Sequence, residues 1–160
     1  FPCSMLDRSD IAGIEEFGAR VGDPEAQVLL MRLKTDLFDV LMAATASGDQ
    51  HTLDGIELQW DRRIALGVVM ASHGYPGKVR ERDTITGLSP MADDAMVFHA
   101  GTERRADGAL VTHGGRVLCI TALGDTVKAA QQRAYAVLAP IRFDGAQYRS
   151  DIGHRALKPR

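Results

Sequence analysis

The protein is a chain of 160 residues, 45% hydrophobic and 25% charged, with a formal net charge of -2. That length holds one sizeable core, or one small domain and a piece of another, but not two complete domains. The near-neutral balance excludes a general attraction for nucleic acid, and no apolar run approaches the roughly 20 residues that cross a bilayer, so neither nucleic acid nor membrane is an expected partner.

In chain order, residues 2–6 and 11–17 read as two short strands around the turn-prone "DRSD". A helix follows, with Asp23 as the predicted N-cap and Pro24 at the first helical position, where its missing N–H costs nothing. Ala26, Leu29, Leu30 and Leu33 recur at helical spacing and are expected to pack. A second helix is predicted from Thr35 or Asp36, with Leu37, Leu41 and Ala44 on one face and Gly48 as its stop. The polar "DQHTLDG" reads as a loop and places the expected boundary between residues 1–49 and residues 50–160.

From Ile56 onward the signals turn to strands: "IALGVVMAS", "TITGL", "AMVFHAG", "ALVTHGG" and "RVLCITALG" are short, rich in β-formers and separated by glycine or polar turns. They predict a small antiparallel sheet or open barrel. One helix is expected across it, capped by Asp125, with Val127, Ala130, Ala134, Val137 and Leu138 buried and Pro140 ending it. "FDGAQYRSDIGHRAL" has no assignable period. The fold class is therefore α+β.

Only Cys3 and Cys119 are present, without metal spacing, and Cys119 in "RVLCITAL" reads as a buried reduced thiol, which suits a cytoplasmic protein. His51, His73, His99, His113 and His154 lack the short pairings of a zinc site. The chain begins at Phe1 without a secretory signal and reads as a fragment lacking its amino-terminal part.

"EFGARVGDPEAQ", "SHGYPG", "FHAGT", "GGRVLCITALGDT" and "FDGAQYRSDIGHRAL", in that order, closely resemble the carboxy-terminal part of the phosphoribosylamine-glycine ligase (glycinamide ribonucleotide synthetase) family of ATP-grasp enzymes, from about Glu16 to Leu157. The resemblance implies an ATP-dependent carbon-nitrogen ligase of purine biosynthesis, joining glycine to 5-phosphoribosylamine through a glycyl phosphate. It implies magnesium or manganese, ATP as cosubstrate, and a nucleotide site most of which precedes this chain. On that basis residues 1–49 are expected to end an ATP-grasp unit, as a strand and two helices. Residues 50–160 are expected to form the small β-rich domain with its packed helix.

The chemistry suits the residues. Phosphoryl transfer to a carboxylate gathers negative oxygens, which hard cations and guanidinium groups relieve. In the family pattern a glutamate, a phenylalanine and an asparagine end the strand, and the first and last hold metal. Glu16 and Phe17 match; Gly18 stands in the asparagine's place and brings no side-chain oxygen. The resemblance thus assigns Glu16 to metal and Arg20 to substrate and catalysis through its planar fork; Asp23 reads first as a cap that positions the Arg20 loop, with a substrate contact as the lesser alternative.

Bland readings stand beside these. Glu15 is a surface carboxylate, the glycines of "SHGYPGK" and "THGGR" are tight turns, and Trp60, Tyr75 and Phe98 pack at the core or rim. His113 and Arg116, flanking one such turn, are weaker substrate-side candidates. The competing function is a free-standing, non-catalytic module derived from the same family, which Gly18 favours. The fragment alone is expected to be inactive.

Overall fold

The computed structural model describes residues 3–8, 11–17, 21–46, 52–90 and 92–157. Strands β1 (Cys3–Arg8) and β2 (Ile11–Phe17) pair antiparallel, with a register irregularity between Ser4 and Met5. Helices α1 (Glu25–Leu30) and α2 (Leu37–Thr45) follow, then a 3-10 turn at Thr52–Gly55.

The rest is built on β3 (Ile64–Ala71), β4 (Ala95–His99) and β7 (Arg116–Gly124), with β7 central and both neighbours antiparallel to it. A second ribbon pairs β5 (Thr102–Arg104) with β6 (Leu110–Thr112). Helix α3 (Val127–Leu138) lies on the three-stranded sheet, and a short α4 (His154–Leu157) comes last. Among the described residues no helix is long and apolar enough to cross a membrane.

β7 shows why the sheet holds: residues 117–123 are all buried, as a central strand covered on both faces must be. Leu66, Val68 and Met70 of β3 join Leu118, Ile120 and Ala122 of β7 beneath Ala130, Ala134 and Leu138 of α3. Each large aliphatic chain fully buried here contributes about 1.5–3 kcal/mol. The opposite face meets α1. Gly67 makes that approach possible, since a Cβ there would lie 3.1 Å from Val28 and 3.2 Å from the Cys119 sulfur.

The strand-rich second half and its packed helix follow the sequence pattern, with corrections of detail. "TITGL" forms no strand; Thr84 and Thr86 make single bridges to Val111 and Arg142, while Gly87 at φ +76° turns the chain. β5 was not marked by the pattern at all. α3 is capped by Thr126, whose hydroxyl accepts from the Ala129 N–H at 3.1 Å, rather than by Asp125. The closing stretch is tied down by a bridge from Gln147 to Ala71 and by the Tyr135 hydroxyl, which donates to the Arg149 carbonyl at 2.6 Å.

The first half departs further. Asp36 caps α2 as expected, accepting from the Phe38 N–H at 2.8 Å, but Gly48 lies outside the described residues. The stripe expected to pack does so only in part, with Ala26 and Leu33 half-buried. Leu29, Leu30, Leu37 and Leu41 are all exposed, and Ala43 is the one buried residue of the two helices. Spacing showed that a face is apolar without showing what covers it. This segment is joined to the sheet by Val28, by the Arg32 guanidinium donating to the Asp61 carbonyl at 3.1 Å, and by the Leu33–Trp60 bridge.

Candidate functional site

The antiparallel register places Ala71, at the end of β3, opposite Arg116, at the start of β7, and His99, at the end of β4, opposite Leu118. The loops carrying "SHGYPG", "FHAGT" and "THGGR" therefore gather at one end of the sheet. Ser72 is buried there, its hydroxyl donating to the Gly114 carbonyl at 2.7 Å and its N–H to the Gly115 carbonyl at 2.8 Å. The Tyr75 ring covers Gly115, where a Cβ would come within 2.4 Å of the ring, so only glycine fits. Gly101 donates to the Arg116 carbonyl and accepts from the His113 N–H, each at 2.8 Å. Gly77 likewise donates to the Gly74 carbonyl at 2.8 Å, so backbone bonds join these loops at their turn positions.

Charged side chains are arranged around that frame. The Arg116 Nε lies 3.3 Å from Asp23 Oδ2, and the Gln27 amide donates to Asp23 Oδ1 at 2.6 Å. Asp23 is thus not the cap of α1: Pro24 takes the cap position instead of the first helical one, the helix has no side-chain cap, and both Asp23 carboxylate oxygens are engaged elsewhere. Gln27 Oε1 is buried without a hydrogen-bond partner among the described residues. Arg80 links Asp83, at 2.9 Å, to Asp144, at 2.6 Å, and both carboxylates raise its pKa further. His113 faces a different set, with Nδ1 at 3.6 Å from Glu103 and 3.7 Å from Glu81.

Of the residues singled out from sequence, Asp23 and Arg116 are brought together, and His113 is not part of their contact. Glu16 is the penultimate residue of β2, opposite Ser4. Arg20 and Gly18 lie outside the described residues. Among the described residues no group of three His, Cys, Asp or Glu is placed to hold a metal ion. Ser72 and Gln27 were missed, and a short-range pattern offers no signal for a serine that bonds across to another turn. Cys119 is buried as read, and burial pushes its thiol pKa up. Chemically, the Arg116–Asp23 contact ties the residues just ahead of α1 to the loop end of the sheet.

Comparison with known proteins bears on what that stretch is for. Residues 65–155 match the family model of the phosphoribosylglycinamide synthetase C domain. The chain is 54% identical over 154 residues to a phosphoribosylamine–glycine ligase of Ralstonia nicotianae, and 47% identical over 156 residues to one of Escherichia coli K12. Each match takes in 96% of this chain and 35% of the relative, so the chain spans about a third of the curated relatives' length. The crystal structure of a phosphoribosylamine–glycine ligase from Thermotoga maritima matches 94% of this chain and 36% of its own, at 30% identity and a TM-score of 0.69.

Proposed function

This chain belongs to the phosphoribosylglycinamide synthetase C-domain family, and from that premise we propose that it is the carboxy-terminal part of an ATP-dependent ligase joining glycine to 5-phosphoribosylamine. ATP, glycine and the phosphoribosylamine are the substrates in this reading, the remaining part of the same enzyme is the partner, and the cytoplasm is the compartment. Residues 1–49 would close an ATP-grasp unit, and residues 50–160 form the β-rich domain.

The observation that carries the reading is similarity to ligases over nearly the whole chain, well upstream of the C-domain match at 65–155. That upstream reach favours the ligase over the free-standing module. Glu16 is the proposed metal ligand and Arg20 the group that neutralises phosphate or acyl-phosphate oxygens. Magnesium or manganese, held by Glu16 in this reading, would relieve the repulsion among the phosphate oxygens. Gly18 supplies no side-chain oxygen beside Glu16. Asp23 serves in this scheme by holding the strand-to-helix stretch against Arg116 and Gln27, with a substrate contact as a further role.

The test is a full-length chimaera in which this chain replaces the matching segment of the Ralstonia nicotianae relative. It should release ADP only when glycine and phosphoribosylamine are both present, and Arg20→Ala should cost about 100-fold or more in kcat. The isolated chain should show no turnover. A folded chimaera without activity would contradict the ligase reading, and turnover by the isolated chain would contradict its dependence on the missing part.

A further inference from the structure

Helix α2, "LFDVLMAAT", is apolar nearly all round, with Asp39 as its one charged residue. A helix of that kind belongs in an interior. Here Val40 and Ala43 turn inward, yet Phe38 is 65% exposed, Met42 55% and Leu41 54%. Beside them runs a groove of about 350 Å³ floored by Leu29, Leu30, Leu33, Val40, Leu58 and Trp60, without a polar side chain in its lining. Patch and groove are continuous through Leu37, which is both exposed and a groove wall. Contiguous apolar surface of this kind marks an interface.

The occupant follows from where the face lies. It falls within residues 21–60, outside the C-domain match at 65–155 but inside the segment aligned with the longer ligases. In those relatives about two-thirds of the polypeptide lies beyond the matched part, since the match takes in 35% of their length. The sheet unit covers its own core without this face. We infer that the outer face of α2 and the groove beside it are an intramolecular docking surface for the remaining part of the ligase polypeptide, seated through Phe38, Leu41 and Met42. The inference rests on the chain being part of a longer ligase, but not on any assigned catalytic residue.

A thiol at position 41 reads it out. In a Cys3→Ser background, Leu41→Cys is made in the isolated chain and in the full-length chimaera with the Ralstonia nicotianae relative, and alkylation by N-ethylmaleimide is timed. Cys119, buried and with a raised pKa, gives a slow background. The expected result is rapid labelling in the isolated chain and labelling about tenfold or more slower in the chimaera. Equal rates in a monomeric, folded chimaera overturn the inference. Protection in the isolated chain that grows with its concentration also overturns it, pointing to a second copy as occupant. Should the substituted chimaera fail to fold, amide exchange of α2 in the unsubstituted chain and full-length relative decides the matter: slower exchange in the longer protein supports it, equal exchange refutes it. Ligase assay of the chimaera separates the two readings, since an active chimaera that labels rapidly keeps the function and loses the interface.

Discussion

The two regions of this molecule solve the burial of apolar side chains in opposite ways. Around β7, every large apolar group finds a neighbour within the same chain, and Val68, Val117 and Ile120 are fully buried. In residues 21–60, Phe38, Leu41 and Met42 of the apolar α2, and Leu58 beyond it, stay in water. Both have hydrophobic periodicity, so periodicity does not distinguish them; completeness does. A sheet with helix α3 on one face and α1 on the other has its covering layers, whereas α2 has one thin contact surface and a groove. The seam between the regions is narrow, resting on Val28 against Gly67, Arg32 against the Asp61 carbonyl, and Arg116 against Asp23.

The sharpest way to break the comparison is to cut into the complete side. Ile120→Ala removes a fully buried chain between β3 and α3 and should cost about 3 kcal/mol, within the usual range for such cavities. Urea unfolding followed by circular dichroism measures it. A loss below about 1 kcal/mol would mean that this core is looser than its burial implies.

Next in size is the seam itself. Gly67→Ala pushes a methyl group toward Val28 and the Cys119 sulfur, both buried or held by packing, and should cost about 1–3 kcal/mol. Trp60 is the single tryptophan and bridges to Leu33, so its fluorescence reports the helical segment. In the variant the Trp60 transition should move to lower urea than the dichroism transition. Coincident transitions would show that the two regions unfold as one.

Much of this was legible in the sequence and some was not, for physical reasons. The strands from Ile64 to Gly124 and helix α3 announce themselves by β-branched runs, turn glycines and a buried stripe, and the family by strings in order. Cap positions slipped by one at Thr126, because adjacent Asp and Thr are both good caps. At Asp23 the predicted cap failed because a distant arginine claimed the carboxylate, and pairing across the fold has no local signature. Gly115 was read correctly as a turn, but the Tyr75 ring above it was not foreseeable. The Ala26–Leu33 stripe packs through Ala26 and Leu33 but not through Leu29 and Leu30, since a pattern records which side chains avoid water and not whether their cover belongs to the same segment.

Acid should weaken both regions, each through a carboxylate held by an arginine. Asp61 has its pKa lowered chiefly by its hydrogen bond to Arg63, and its backbone holds Arg32; Asp94 is lowered chiefly by Arg133 within the sheet unit. A carboxylate depressed in the folded state adds stability above its unfolded pKa of roughly 4, and loses it as pH falls toward the folded value. Stability should therefore fall with pH from roughly pH 4 downward, with no such loss between neutral pH and pH 5 from these groups. Asp61→Asn should flatten that dependence for the Trp60 transition, and Asp94→Asn for the dichroism transition. An unchanged acid profile in Asp61→Asn would remove this carboxylate from the account of the seam.

The smallest effect expected in the isolated chain is the most diagnostic of incompleteness. Phe38→Glu replaces an aromatic ring that is 65% exposed on α2, close behind the Asp36 cap, where a carboxylate also meets the favourable end of the helix dipole. In the isolated chain it should change stability by less than about 0.5 kcal/mol, as surface substitutions do. In the full-length chimaera the same change would bury a charge without a partner and should cost several kcal/mol, typically 3–5 when an uncompensated charge is left in an interior. The measurement is a pair of urea curves for each protein, and the difference between the two losses is the readout. Equal small losses in both would place Phe38 at the true surface of the ligase; equal large losses would show that the isolated chain already covers it.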